Sequence, residues 1–408
     1  MYNILIHTSR LFLKAIGQFN TKIKKGVEGR KETFAKLKNH ISKTDKTLWF
    51  HCASLGEYEQ GLPVFNALKP LYPDHKIVLS FFSPSGYEVR KNTPIADVVV
   101  YLPLDTKANA KQFLDLVHPD LVIFVKYEIW PNLLREVKKR GIKSILISAL
   151  FRDSQVFFKP YGKLMRQALF SFHHIFTQDE SSKTLLESIG YNTVSVSGDT
   201  RFDRVSSQLE QNNKLDFMEA FKQDKLCIVA GSTWPEDELY FINYVNSEEI
   251  KNQKFVIAPH DIKPNQIDKL KSKLNKKTVL FSELSSKKPE NYEVLILDTI
   301  GLLSKVYSYA DVAYVGGAAG KTGLHNTLEP AVFGIPIIIG AHFDKFPEAK
   351  NMIEGQGMIS VKNQTEFNDA LTLFLQNNSK RTTYGANNFN YIKKNTGAVI
   401  QIIEYLRK

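Results

Sequence analysis

The sequence predicts an α/β protein of two Rossmann-like, doubly wound domains facing one another across an inter-domain cleft. Three observations predict it. Short apolar, β-branched runs bounded by turn residues alternate with helical segments along the whole chain, which is the pattern of parallel sheets covered by helices. At 408 residues the chain is too long for one ordinary core, and the size prior favours two domains of roughly 200 residues each. The alternation also lapses once, over the polar stretch 204–224 (RVSSQLEQNNKLDFMEAFKQD), which reads as the linker between two sets of strands.

Taken in order, residues 1–40 read as a basic amphipathic segment. Leu5, Phe12, Ile16, Phe19 and Ile23 recur at helical spacing among Arg10, Lys14, Lys22, Lys24 and Lys25. Charges interrupt the apolar residues well before the ~18 to 20 needed to span a bilayer, and no cleavage site follows an apolar core. The segment is therefore expected to lie on a membrane surface, with a solvated helix packed on its own domain as the alternative. The first domain, 41–203, holds runs at 48–54, 76–82, 97–102, 120–125, 143–148, 174–178 and 193–198. The second, 225–390, holds runs at 226–232, 254–259, 278–281, 293–297, 311–317, 335–340 and 357–361. Residues 391–408 predict a closing helix that can pack back on the first domain.

Composition bounds the function. Hydrophobic residues at 43% with 24% charged describe a globular chain and exclude a disordered one. A net charge of +12 suggests an anionic partner, and no RNA-binding signature with interleaved aromatics supports nucleic acid. Cys52 and Cys227 sit inside apolar runs without metal-ligand spacing, so they read as buried thiols in a reducing compartment.

In doubly wound sheets ligands bind beyond the carboxyl ends of the strands, so the chemistry belongs to the residues that follow each run. In the first domain these are Ser54 to Glu57, Ser83 to Gly86 with Ser85, and Lys126 to Pro131 with Glu128. In the second they are Ser232 and Thr233, His260, Thr299 to Gly301 with Ile300, and the stretch GGAAGKTGLHNTLEPAVFGIP (316–336). There Gly316 and Gly317 would let a ligand approach the backbone, and a helix from Thr327 to Gly334 would offer its N-terminus to a phosphate and Glu329 to ribose hydroxyls. Pro330 favours Thr327 over Asn326 as the cap, because a proline deeper in the helix would cost its first internal bond. Glu57, at a strand tip facing the cleft, is placed to take a proton from an acceptor hydroxyl, and the helix dipole should keep it ionised at neutral pH. Acids are favoured in first helical turns in any case. Glu128 at a neighbouring tip would orient Glu57 or hold substrate.

With these residues assembled, the chain resembles the 3-deoxy-D-manno-octulosonic acid (Kdo) transferases of lipopolysaccharide assembly. The likeness runs over nearly the whole length and is carried, in order, by HCASLGEYEQGLPVFNALKPLYP, FFSPSGYE, YEIWPNLL, SGDTRFD, AGSTWPEDE, LDTIGLLSKVYSYADVAYVGG and GLHNTLEPAVFGIPIIIG. The resemblance implies the GT-B glycosyltransferase fold and CMP-Kdo as donor. It implies a phosphorylated lipid A precursor as acceptor, an inverting transfer without metal or cofactor, and peripheral or monotopic attachment to the cytoplasmic face of the bacterial inner membrane. It makes Glu57 the general base and Glu128 its support. It also assigns Asn326 and Glu329 to the ribose and cytosine side of CMP, with Ser232 and Thr233 as a small-hydroxyl loop. Ser54, Ser83 and Ser85 remain acceptor-side candidates.

The chain departs from the family pattern at three places. It has Lys126 where a second acid is common, Pro259-His260-Asp261 in place of Pro-Arg-His, and Leu302 where a Glu is common. Lys263, Arg201 or Lys321 would replace the missing arginine's charge. Two other readings stay open on the sequence: a nucleotide-sugar epimerase of the same fold, and a non-catalytic membrane-associated binding protein.

Overall fold

The computed structural model describes residues 2–247 and 252–407; the side chains of Arg10 and Lys14, counted above in the basic face, lie outside the described residues. The chain divides into a first unit of residues 1–204 with 396–408 and a second of residues 205–395.

In the first unit the strands are β1 (Lys46–Cys52), β2 (His75–Phe81), β3 (Val98–Tyr101), β4 (Leu121–Val125), β5 (Lys143–Ala149), β6 (His174–Thr177) and β7 (Val194–Val196). They form one parallel sheet in the order β3-β2-β1-β4-β5-β6-β7. Every residue of β4 is buried, as expected when helices cover both faces of a parallel strand. Alternation along the strands sends Trp49, Val78, Phe124 and Leu146 to one core and Phe50, Leu79, Ile123 and Ile147 to the other. The second core also receives Ile402, Ile403 and Leu406 from the helix Ala398–Arg407, so the returning C-terminus begins at Thr396.

The N-terminal segment is two helices, α1 (Tyr2–Ile16) and α2 (Thr21–His40), where the sequence pattern reads as one. Asn20 stops continuity by capping α2, its side chain accepting from the Ile23 amide. The two helices differ in role. α2 is built into the unit: Arg30 donates to the carbonyls of Gly26 (2.8 Å), Leu102 (3.0 Å) and Phe82, and Thr33 donates to Tyr101 O at 2.8 Å. α1 is tied at its start, where Tyr2 donates to Asp105 (2.7 Å) and Asn132 to Asn3 (2.7 Å). Beyond that it leaves Ile4, Leu11 and Phe12 exposed at 68, 68 and 69%, and Phe19 in the link to α2 at 90%. Among the described residues no helix is long and apolar enough to cross a membrane.

The second unit holds β8 (Leu226–Thr233), β9 (Gln253–Pro259), β10 (Thr278–Leu280), β11 (Val294–Ile296), β12 (Val312–Val315), β13 (Ile337–Ile339) and β14 (Met358–Ser360). Its parallel sheet runs β10-β11-β9-β8-β12-β13-β14, so β11 is inserted between β10 and β9. The stretch read as a linker is a packed part of this unit. Its helix Asp216–Lys222 buries Met218 and Phe221, and Lys222 pairs with Asp311 at 2.8 Å.

Candidate active site

The switch point of the first sheet lies between β1 and β4, and the residues after those strands meet there. After β1 the chain enters α3 (Leu55–Leu68) with Ser54 as N-cap, and Glu57 is its third residue. Glu57 is buried, and its carboxylate accepts the Ala53 amide. Burial, then the neighbouring Glu128 carboxylate, push the Glu57 carboxyl up to about 7, against the pull of the Ala53 amide, Lys126 and the Ser54 amide. Burial thus works against the helix dipole that was expected to keep Glu57 ionised. A displacement from 4.5 to about 7 corresponds to roughly 3 kcal/mol, more than the ~1 kcal/mol a helix N-terminus supplies. Glu57 is poised between its two protonation states at neutral pH.

Glu128 is half-buried and receives the Trp130 indole N–H at 3.1 Å, with His51 Nε2 at 3.6 Å. Lys126 stands at φ 66 and Ser148, at the end of β5, at φ 51, both in the left-handed region that non-glycine residues rarely occupy. Ser83 caps the helix Pro84–Arg90 by accepting from Ser85 N, and its own amide donates to Ala53 O at 2.7 Å, joining the β2 tip to the β1 tip. Arg201 belongs to this unit too, beyond β7. Its Nε donates to Asp199 at 2.7 Å, and Asp199 also accepts from Gln60 of α3 at 3.2 Å.

In the second unit the switch point lies between β8 and β12. Ser232 has φ 54 at a register shift near the end of β8, and Thr233 is buried, donating to Glu238 at 3.3 Å. Burial pushes the Glu238 carboxyl up to about 7. Gly316 and Gly317 open the next loop, and the chain's own backbone requires them there. A Cβ on Gly316 would lie 2.4 Å from Ser232 O, and Gly317 has φ 97 with Gly323 O 2.0 Å from the Cβ site. These glycines let the loop close on its own backbone.

The helix expected up to Gly334 is a single turn, Leu328–Ala331, with Thr327 as N-cap, followed by turns to Gly334 at φ 69. One turn carries little dipole, which weakens the argument for a phosphate there. Glu329, expected to be free for a ligand, already accepts from Asn326 Nδ2 at 3.1 Å and from Ser304 Oγ at 3.3 Å. Asn326 in turn accepts from the Leu328 amide at 3.2 Å. Thr299 is half-buried, Ile300 is exposed at 89%, and Gly301 at φ 95 turns the chain toward Ser304. Among the substitutes for the missing arginine, Lys263 is exposed and paired with Asp261 at 2.7 Å, and Lys321 is exposed on the glycine-rich loop.

Sequence reasoning missed three features of these sites. Asp237, fully buried, accepts from Trp234 N (2.9 Å), Gly317 N (2.8 Å), Tyr314 Oη (2.7 Å) and Ala319 N (3.3 Å), and so fixes the glycine-rich loop to the β8 tip. His325 accepts from the Trp234 indole at 3.1 Å and lies beside His260, 4.4 Å between ring centres; burial and then His260 lower it to about 4, so it is neutral. His260 itself stacks on Trp234 at 4.8 Å. His51 is the third: one polar ring in the buried strand KTLWFHC was the available signal, because such a residue needs partners.

Comparison with known proteins adds to this geometry. Residues 28–204 match the family described as 3-Deoxy-D-manno-octulosonic-acid transferase (kdotransferase). A 3-deoxy-D-manno-octulosonic acid transferase of Haemophilus influenzae is 28% identical over 99% of this chain and 97% of its own length. One from Aquifex aeolicus is 30% identical over 83% of this chain and 88% of its own. Among solved structures, the UDP-GlcNAc 2-epimerase from Neisseria meningitidis bound to UDP-GlcNAc superposes with a TM-score of 0.58, covering 89% of this chain and all of that one. At 16% identity that likeness speaks to the fold, which is the two-domain α/β GT-B fold.

Proposed function

Because the chain belongs to the 3-deoxy-D-manno-octulosonic acid transferase family, a family of enzymes that transfer Kdo in lipopolysaccharide biosynthesis, we propose that it moves Kdo from CMP-Kdo to a phosphorylated lipid A precursor with inversion at the anomeric carbon. The observation that carries the mechanism is Glu57, buried at the switch point beside Glu128 and raised to about 7. A base of that affinity accepts a proton near neutral pH and is stronger than an ordinary carboxylate. In the step proposed, an acceptor O–H gives its proton to Glu57, the oxygen forms a bond to the anomeric carbon, and the bond to the CMP phosphate breaks with its electron pair leaving on CMP.

The first unit would bind the acceptor, with Ser54, Ser83 and Ser85 at neighbouring tips. The second would bind the donor through Ser232, Thr233, His260, Thr299, Ile300, Gly301, Gly317, Asn326 and Glu329. Arg201, Lys263 and Lys321 would supply charge toward the anionic groups. The exposed apolar face of α1 would rest on the cytoplasmic face of the inner membrane, where the lipid acceptor lies.

Incubation with CMP-Kdo and lipid A precursor, read by mass spectrometry, tests the whole reading. One glycolipid heavier by a Kdo unit, or by more than one, is expected. Loss of CMP-Kdo without a glycolipid product would refute the acceptor, and recovery of an isomerised sugar nucleotide would favour an epimerase. For the membrane, Phe12→Ser with Phe19→Ser should weaken association with anionic liposomes by about a hundredfold or more, since each buried aromatic ring contributes on the order of 1.5–3 kcal/mol. Undiminished association would overturn the role of α1.

A further inference from the structure

We propose that His51 is a positioning residue that holds the Glu128 carboxylate, acting at the end of a buried chain that starts at Trp49 and passes through Ser80. This rests on the reading of Glu57 as base with Glu128 beside it.

The chain of contacts has a direction because an indole N–H can only donate. Trp49 Nε1 donates to Ser80 Oγ at 2.8 Å. The Ser80 hydroxyl proton must then point elsewhere, and among the described residues its acceptor is His51 Nδ1, at 2.8 Å. With Nδ1 accepting, the neutral ring carries its proton on Nε2. That nitrogen lies 3.6 Å from Glu128 Oε2 and 3.3 Å from Trp130 Nε1. The Trp130 proton, fixed in the indole plane, reaches both His51 Nε2 at 3.3 Å and Glu128 Oε2 at 3.1 Å, and with Nε2 protonated the carboxylate is its acceptor. His51 and Trp130 then aim two donors at one carboxylate oxygen. A separation of 3.6 Å is long for a hydrogen bond, and the contact acts through the N–H dipole and the carboxylate charge.

The opposite tautomer is less well served. A proton on Nδ1 could go to Ser80 O at 3.2 Å and leave Nε2 to accept from Trp130 at 3.3 Å, but Ser80 Oγ would then be left with no acceptor for its own proton, and the ring lone pair would also face the Glu128 carboxylate. Packing alone does not explain the residue either. His51 is fully buried between strands of apolar residues, where an aliphatic side chain would avoid the desolvation cost of an imidazole.

Other ionisable groups face the pair. Lys126 lies at the β4 tip, the Cys52 thiol is pushed far up by burial and so stays neutral, and Glu59 of α3 is engaged by Arg90 at 2.8 Å and Arg204 at 2.7 Å. Weakening the hold on Glu128 should let its carboxylate move away from Glu57. Glu57 would then lose the neighbouring charge and become a weaker base.

The test uses the full chain with CMP-Kdo and lipid A precursor, measuring kcat and kcat/KM against pH for the wild type, His51→Asn, His51→Gln and Glu57→Gln. Asn keeps an amide near the Nδ1 position and loses the donor to Glu128, whereas Gln restores a donor near Nε2. His51→Asn should lower kcat about tenfold, leave the donor KM within twofold, and move the acid limb down by half a pH unit or more; His51→Gln should recover most of both. An unmoved limb, or a loss of kcat that Gln does not rescue, overturns the proposal. If Asn at position 51 does not fold, Ser80→Ala removes one buried oxygen and is read the same way, with an unmoved limb again decisive against the chain. Nitrogen NMR of histidine-labelled wild type gives a second readout: a proton on Nε2 of His51 is expected, and one on Nδ1 overturns the argument. Glu57→Gln separates the two readings. Full turnover in that variant fails the base assignment, whereas its inactivity beside an unaffected His51→Asn fails the chain alone.

Discussion

The two units place an acid at the same topological position and put it to different uses. Glu57 is the third residue of the helix after β1, Asp237 the third residue of the helix Pro235–Ser247 after β8, and each of these strands borders the switch point of its sheet. Both are buried, and burial raises both carboxyl groups. The difference lies in their partners. Asp237 receives four donors, from Trp234, Gly317, Tyr314 and Ala319, which fill its lone pairs. Glu57 receives the adjacent backbone amides of Ala53 and Ser54 and faces a second carboxylate. A saturated acid fastens a loop; an unsaturated one beside a like charge retains the capacity to take a proton.

Two substitutions try this contrast at its strongest. Glu57→Ala is expected to lower turnover on the order of a thousandfold while nucleotide binding and the fold persist, measured by steady-state kinetics and by titration with CMP. An unchanged rate would remove Glu57 from the chemistry. Asp237→Ala should instead cost about 3 kcal/mol of stability, because buried donors lose their acceptor, and lower the melting temperature on the order of 5–10 °C. If Asp237→Ala melts like the wild type, the contrast between the two acids fails.

The pH dependence of stability sharpens it further. Folded Glu57 is held at about 7 against an ordinary 4.5, so between those values the folded chain keeps a proton that the unfolded chain has released. The contribution of this group to stability is therefore full below about pH 4.5 and declines as the pH rises through 7. Glu57→Gln cannot lose that proton, and should be more stable than the wild type at pH 8 by roughly 2–3 kcal/mol, with the gap closing by pH 5. Thermal melts across that range check it, and a gap independent of pH would show that Glu57 is not held protonated by the fold. Asp237→Asn should gain nothing at any pH, because the amide keeps one acceptor oxygen and turns its NH2 toward two of the four donors.

The same contrast explains what was legible in the sequence. Every expected strand run overlaps a strand, because a buried parallel strand is a continuous apolar run bounded by turn residues. The tips carrying Glu57, Glu128, Asn326 and Glu329 followed from that. The insertion of β11 between β10 and β9 was not legible, since pairing order leaves no mark on the apolar pattern. The helical turn Asp216–Lys222 hid within a polar stretch because only Met218 and Phe221 face inward. Asp237 and His51 were missed because their partners come from distant segments: Gly317 lies eighty positions beyond Asp237, and Ser80 twenty-nine beyond His51. The glycines at 316 and 317 were legible as a place of close approach, but the approach of the chain's own backbone, from Ser232 and Gly323, was not, because it depends on segments distant in sequence or on the loop's own closure.

Glu329 stands between the two acids, and the smallest predicted effect belongs to it. It is half-buried and accepts two side-chain donors, Asn326 at 3.1 Å and Ser304 at 3.3 Å, which leaves lone pairs for a ligand. Ser304→Ala removes the longer of these bonds without adding bulk. The carboxylate keeps its Asn326 contact but loses part of its orientation, a change on the order of 0.5–1 kcal/mol. If Glu329 holds the donor's ribose hydroxyls, that loss should appear as a rise of about two- to fivefold in the donor KM with kcat within about twofold, since the interaction is made equally in ground and transition states. Steady-state kinetics with varied CMP-Kdo separates the outcomes. A fall in kcat at constant KM would move this segment from binding to chemistry and bring it closer to Glu57 than to Asp237, whereas no change in either constant would show that the Ser304 hydroxyl does not orient the carboxylate.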